Sequence, residues 1–152
     1  MERRLKPDDP AWPAAKRLVT TVGQQRYDLD ATGVTIEITM TLLQYAPGAA
    51  MPRHSDNQHE GRRGSLLAAA FGQPQPRIPR TLFACCFYLT DPSQYDGGGL
   101  VIDGYAPMRP ELGEAVFIRG DVPHSVSEVT RDRRHVVKVA VMTPAIGHAT
   151  AR

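Results

Sequence analysis

At 152 residues the chain suits one compact domain and leaves little room for a second core, so a single domain over 1–152 is expected. The formal net charge of +2 is small, and the basic residues fall in scattered pairs (Arg3-Arg4, Arg62-Arg63, Arg133-Arg134), which argues against the basic face of a nucleic-acid binder. No apolar run approaches the roughly 20 residues of a membrane span, and Met1 to Pro7 lacks the apolar segment of a secretory leader, so a soluble cytoplasmic protein with no membrane or nucleic-acid partner is expected.

The charged, proline-bearing N-terminus leads into one predicted short helix over Trp12 to Val22, a cap and not the core. Core structure is predicted from about residue 34 to 142. Val34, Ile36, Ile38, Met40 and Leu42 alternate with Thr35, Glu37, Thr39 and Thr41, the period-two pattern of a half-buried strand. Tyr45-Ala46-Pro47-Gly48 ends it in a turn. Residues 57 to 80 mix glycines and prolines around an apolar patch, Leu66 to Phe71, and read as a long excursion suited to a substrate lid. Further strands are predicted at Thr81 to Thr90, Gly99 to Asp103, Ala115 to Arg119 and His135 to Met142, with turn signals such as Asp96-Gly97-Gly98-Gly99 between them. Short strands with little helix indicate an all-β sandwich or barrel. The adjacent Cys85 and Cys86 sit in a predicted strand that points them to opposite faces, so both are read as reduced core residues.

Three features carry chemistry. In His54-Ser55-Asp56, side chains two apart on extended backbone leave the same face and can share one ion; read alone, such a pair is more often an exposed polar couple beside a turn. His124 follows a strand and a Gly120-Asp121-Val122-Pro123 turn, and two imidazoles with one carboxylate form a facial set that leaves three octahedral positions open on iron. His59, His135 and His148 are read as surface residues. Arg134 heads an apolar strand, where a guanidinium needs a partner: a bound dicarboxylate, a structural ion pair or solvent at the strand end.

The run Tyr45-Ala-Pro-Gly-Ala-Ala-Met-Pro-Arg-His54-Ser-Asp56-Asn57, then Phe87-Tyr88-Leu89-Thr90-Asp91 with Asp96-Gly97-Gly98-Gly99-Leu100, then His124-Ser-Val126-Ser-Glu-Val129 closing on Arg134, resembles the prolyl-hydroxylase-like 2-oxoglutarate/iron(II) oxygenases over about Leu42 to Met142. The resemblance implies a double-stranded β-helix (jelly roll, cupin-like barrel) with minor helix. It implies Fe(II) held by His54, Asp56 and His124, 2-oxoglutarate gripped by Arg134, and Tyr45 and Tyr88 lining the co-substrate pocket, with O2 as oxidant. It also implies hydroxylation of an aliphatic C–H in a small molecule or an amino-acid residue, with release of succinate and CO2. Asn57, where the lid excursion begins, and Lys138, on the Arg134 face by strand parity, are weaker candidates for substrate contact. Relatives usually carry a small or polar residue at the position of Lys138, whose ammonium either meets 2-oxoglutarate or an acidic substrate or snorkels to the barrel mouth. Two other readings compete: a cupin-like metal enzyme that does not use 2-oxoglutarate, and a non-catalytic jelly-roll binding or sensor domain.

Overall fold

The alternation that marks residues 36 to 45 as a strand has two destinations in the folded chain. One parity, with Met40 fully buried and Ile36, Ile38 and Leu42 packed around it, faces a helix; the other, with Leu43 and Tyr45, faces a cavity. The computed structural model describes residues 1–10, 12–27, 36–57 and 79–143, and the lid expected over 57 to 80 lies almost wholly outside them.

The described elements are strands β1 (Glu2–Arg4), β2 (Glu37–Tyr45), β3 (Met51–His54), β4 (Arg80–Tyr88), β5 (Asp96–Gly97), β6 (Leu100–Ile102), β7 (Ala115–Arg119), β8 (His124–Val126), β9 (Val129–Arg131) and β10 (Arg134–Thr143), with one α-helix, α1 (Trp12–Tyr27), after β1. A five-stranded antiparallel sheet runs β1-β2-β10-β4-β7, and a three-stranded one runs β3-β8-β6; β5 and β9 form a small ribbon beside them. The fold is a double-stranded β-helix, or jelly roll. None of its helices is long and apolar enough to cross a membrane among the described residues.

Two cores follow from the parity of the large sheet. On its outer face, Phe83 and Cys85 of β4 and Val137, Val139 and Val141 of β10 pack with Val19 of α1, Trp12 and Ala15 lying at the margin. On the inner face, Tyr45 and Ile118 join Leu100, Ile102 and Val126 of the smaller sheet and Val129. Cys85 therefore joins the outer core as expected, whereas Cys86, on the opposite face, lines the cavity; both are free thiols. Burial of these apolar faces is the main stabilising term, at roughly 25 cal/mol per Å² of apolar surface removed from water.

Several boundaries differ from the sequence reading. The charged N-terminus is not a bare lead-in: Glu2 to Arg4 pair with Thr41 to Leu43 as an edge strand, and Leu5, with its N–H on the Met40 carbonyl at 2.8 Å, enters the outer core. Ladder bonds use only the main chain, so a charged segment can fill an edge while its arginines stay in solvent. The helix runs five residues beyond its predicted end at Val22. The short strands β3, β5, β8 and β9 were not predicted; two to four residues are too few to show a period.

Candidate active site

The inner faces of both sheets converge on one cavity, lined among others by His54, His124, Cys86, Tyr88, Arg134 and Lys138. At its outer end, β3 and β8 pair antiparallel with His54 directly opposite His124, which brings the two rings to 4.5 Å between centroids. Asp56 follows β3 by two residues and turns to the same face. One ligand atom from each of His54, Asp56 and His124 lies within 4.8 Å of the others.

The surroundings of these three side chains suit them to a cation. His54 Nδ1 lies 2.8 Å from the Pro52 carbonyl and His124 Nδ1 lies 3.0 Å from that of Val122. A carbonyl only accepts, so each Nδ1 carries the proton and each Nε2 keeps its lone pair for a metal. Burial holds the His124 pKa below the ordinary histidine value, which favours the neutral imidazole that ligation needs. The Asp56 side chain is 8% exposed, and its Oδ2 is buried with no hydrogen-bond partner among the described residues. An orphaned acceptor on a buried carboxylate is costly unless a cation completes it.

At the inner end, Arg134 is 2% exposed and forms no salt bridge to an acid of the described residues; its Nε has no partner there. Its guanidinium carbon sits 4.9 Å from the ring centroid of Tyr45 and 5.0 Å from that of Tyr88. Cross-strand pairing places Arg134 opposite Tyr45, and Val136 opposite Tyr88. The aromatic faces offset part of the cost of burying the charge, and both tyrosine side chains accept hydrogen bonds from the guanidinium, while Nε is left for an anion. Burial raises the Tyr45 and Tyr88 pKa values above the usual phenol, against the opposing pull of Arg134, so both hydroxyls stay protonated and can donate. Five of the expected residues thus line one cavity, His54 and His124 at one end and Arg134 with the two tyrosines at the other, and Asp56 stands beside the two histidines.

A 2-oxoglutarate/iron(II) oxygenase family model, described as the 2OG-Fe(II) oxygenase superfamily, matches residues 40–142. The chain belongs to this family. Fe(II), 2-oxoglutarate and O2 are the reactants its chemistry uses, and the cluster and buried guanidinium above are suited to the first two. Among curated proteins, the PKHD-type hydroxylase of Pseudomonas putida is 38% identical over 80 residues, which is 49% of this chain and 35% of the relative. That of Verminephrobacter eiseniae is 43% identical over 58 residues, 36% of this chain and 26% of the relative. The matched segment is about a third or less of the length of these relatives. Among solved structures, a Pseudomonas putida prolyl-4-hydroxylase superposes with a TM-score of 0.67 at 20% identity, covering 94% of this chain and 71% of that one. A viral collagen prolyl hydroxylase from Paramecium Bursaria Chlorella virus-1 gives 0.69 at 13% identity, covering 94% and 74%. At these identities the superpositions speak for the fold.

The two weaker candidates, Asn57 and Lys138, both have partners within the protein. The Asn57 amide mimics a strand partner: its Nδ2 donates to the Thr81 carbonyl at 3.0 Å and its Oδ1 accepts from the Thr81 N–H at 2.9 Å. With its own N–H on the Gly120 carbonyl, it pins the metal loop to the large sheet. Lys138 faces inward along the cavity wall, and its Nζ donates to Asp56 Oδ1. His135, expected at the surface, is half-buried, with its N–H on the Thr90 hydroxyl, and His59 and His148 lie outside the described residues.

Sequence reasoning read two glycines that shape the site as turn residues only. At Gly98, with φ +62°, an added Cβ would come within 2.9 Å of Val129 Cγ2 and 3.1 Å of Arg134 Cδ, so its bare backbone seats the arginine stem. At Gly120 a Cβ would meet the Thr81 carbonyl oxygen at 2.0 Å, which would break the seam Asn57 closes. The glycine run at 97 to 99 was legible as a turn; its packing duty was not, because the arginine it touches lies far along the chain.

Proposed function

We propose that this protein is an Fe(II)- and 2-oxoglutarate-dependent hydroxylase that oxidises an aliphatic C–H of a small molecule or of an amino-acid residue, releasing succinate and CO2. In this reading His54, Asp56 and His124 hold the iron, and Arg134, with the Tyr45 and Tyr88 hydroxyls, holds the distal carboxylate of 2-oxoglutarate. The observation that carries it is a cavity with His54 and His124 at one end, Asp56 converging on both, and a buried arginine, lacking an acid partner among the described residues, at the other.

The residues divide the work by position. Pro52 and Val122 carbonyls fix the histidine tautomers, and the β3–β8 pairing fixes their separation. Arg134 and its tyrosines orient the diacid so that its keto-acid end reaches the metal donors, with Val136 on the cavity wall between. Apolar walls from Leu43, Leu100, Ile118 and Val126 keep bulk water from the reacting centre. Bound iron supplies oxygen activation coupled to 2-oxoglutarate decarboxylation, and the protein supplies ligands, orientation and exclusion.

The test is spectroscopic. Anaerobic protein given Fe(II) and 2-oxoglutarate should develop the weak visible charge-transfer band of the chelate, and Arg134→Ala should lose it at the same co-substrate concentration because truncation of a buried charge partner costs about 2–5 kcal/mol. Normal metal binding without any band would favour a metal enzyme of this fold that does not use 2-oxoglutarate. Succinate release against panels of free amino acids and short peptides would then define the substrate.

A further inference from the structure

We propose that Lys138 is a resident counter-cation of the metal site, neutralising Asp56 in the metal-free protein so that metal loading proceeds against it. The inference rests on the assignment of Asp56 as a metal ligand and adds a determinant of how tightly the site binds. Lys138 stands in the middle of β10 on the inner face shared with Arg134 and Val136. Its cross-strand neighbours are Thr41 on β2 and Cys86 on β4, neither of them an acid. Its side chain instead reaches a residue 82 positions away, donating from Nζ to Asp56 Oδ1 at 2.5 Å.

Which oxygen it takes decides what the bond does. Oδ1 is the carboxylate oxygen that approaches His54 Nε2, at 3.9 Å, so the ammonium engages Asp56 on the side where the metal donors converge. A lysine that merely oriented the carboxylate would hold the oxygen facing away from the histidines. Oδ2, meanwhile, is buried and without a partner among the described residues. A carboxylate this buried needs a positive charge, and the ammonium provides one when no metal is present. With a divalent ion among the same donors, the ammonium becomes a like charge one hydrogen bond from a ligand atom, and the low-dielectric wall strengthens that repulsion. Asp56 then has to share its two oxygens between both cations, or Lys138 has to withdraw. Either way, an uncharged side chain at 138 yields a tighter metal site and a less stable empty one.

The sign of the effect separates this role from a supporting one, since loss of an outer partner that assists a metal ligand typically weakens binding about 10–100-fold. Mn(II) affinity is read by electron paramagnetic resonance, without oxygen or 2-oxoglutarate, on wild type, Lys138→Met, Lys138→Gln and Lys138→Arg. Both neutral variants should bind Mn(II) about tenfold more tightly, with a larger metal-induced rise in Tm, while Lys138→Arg stays near wild type. Unchanged or weaker binding in a neutral variant with a native circular dichroism spectrum overturns the proposal. Should neither neutral variant fold, wild type gives an independent reading: in 15N-lysine protein the Lys138 Nζ resonance should move on Zn(II) saturation, and a resonance that stays put while zinc binds overturns the proposal as well. Failure of the underlying site assignment looks different: Asp56→Ala would bind Mn(II) as well as wild type.

Discussion

Arg134 and Lys138 project from the same face of one strand, roughly 13 Å apart along its axis, yet their charges are met in different ways. Arg134 lies between two aromatic rings with no acid partner among the described residues, whereas Lys138 is closed onto Asp56. The contrast separates two uses of an inward-facing cation. A buried guanidinium with an unpartnered Nε suits an external anion, and in the proposal above an ammonium satisfied by an internal carboxylate sets the charge beside the metal-ligand candidates. The two ends also differ in shielding, since the Arg134 end is sealed while the His54 side chain is 26% exposed.

Breaking the metal end should have the largest effect. His124→Ala removes one of three donors and should weaken Mn(II) binding by more than the ~10–100-fold typical of an outer partner, as read by electron paramagnetic resonance, while 2-oxoglutarate contacts at Arg134 stay in place. Gly98→Ala should sharpen the distinction from the other side. It forces a methyl group against the Arg134 stem at positive φ, and should cost about 1–3 kcal/mol of stability by thermal melt and raise the 2-oxoglutarate KM with Mn(II) affinity intact. The smallest change is expected for Tyr88→Phe, which keeps the ring over Arg134 but deletes a hydroxyl donor; a loss of about 1 kcal/mol in 2-oxoglutarate binding, measured by calorimetry on Mn(II)-loaded protein, is anticipated. If Gly98→Ala weakened metal and co-substrate alike, the two ends would be one coupled unit and the contrast would fail.

Much of this arrangement was legible from residues alone. His54-x-Asp56, His124 and Arg134 could be singled out from residue type and spacing and the two tyrosines from the family resemblance; all but Asp56, which stands beside the histidines, line one cavity. The long strands at 37–45, 80–88 and 134–143 were visible for the same reason, each being long enough to show a period. What stayed hidden depends on partners distant in sequence. Nothing near residue 138 indicates that its ammonium meets Asp56, nor near residue 57 that its amide completes the Thr81 edge. The N-terminal edge strand was hidden because its pairing is made by backbone groups that every residue possesses.

The two-sidedness of β10 restricts how this strand can change. Its odd positions 137, 139 and 141 fill the core under α1, and its even positions 134, 136 and 138 form the cavity wall. Inserting or deleting a single residue there would swap the two sets, driving a guanidinium and an ammonium beneath the helix and valines into the catalytic chamber. Side-chain replacement is open to this segment, but a change of its length is not, because one register serves folding and chemistry together.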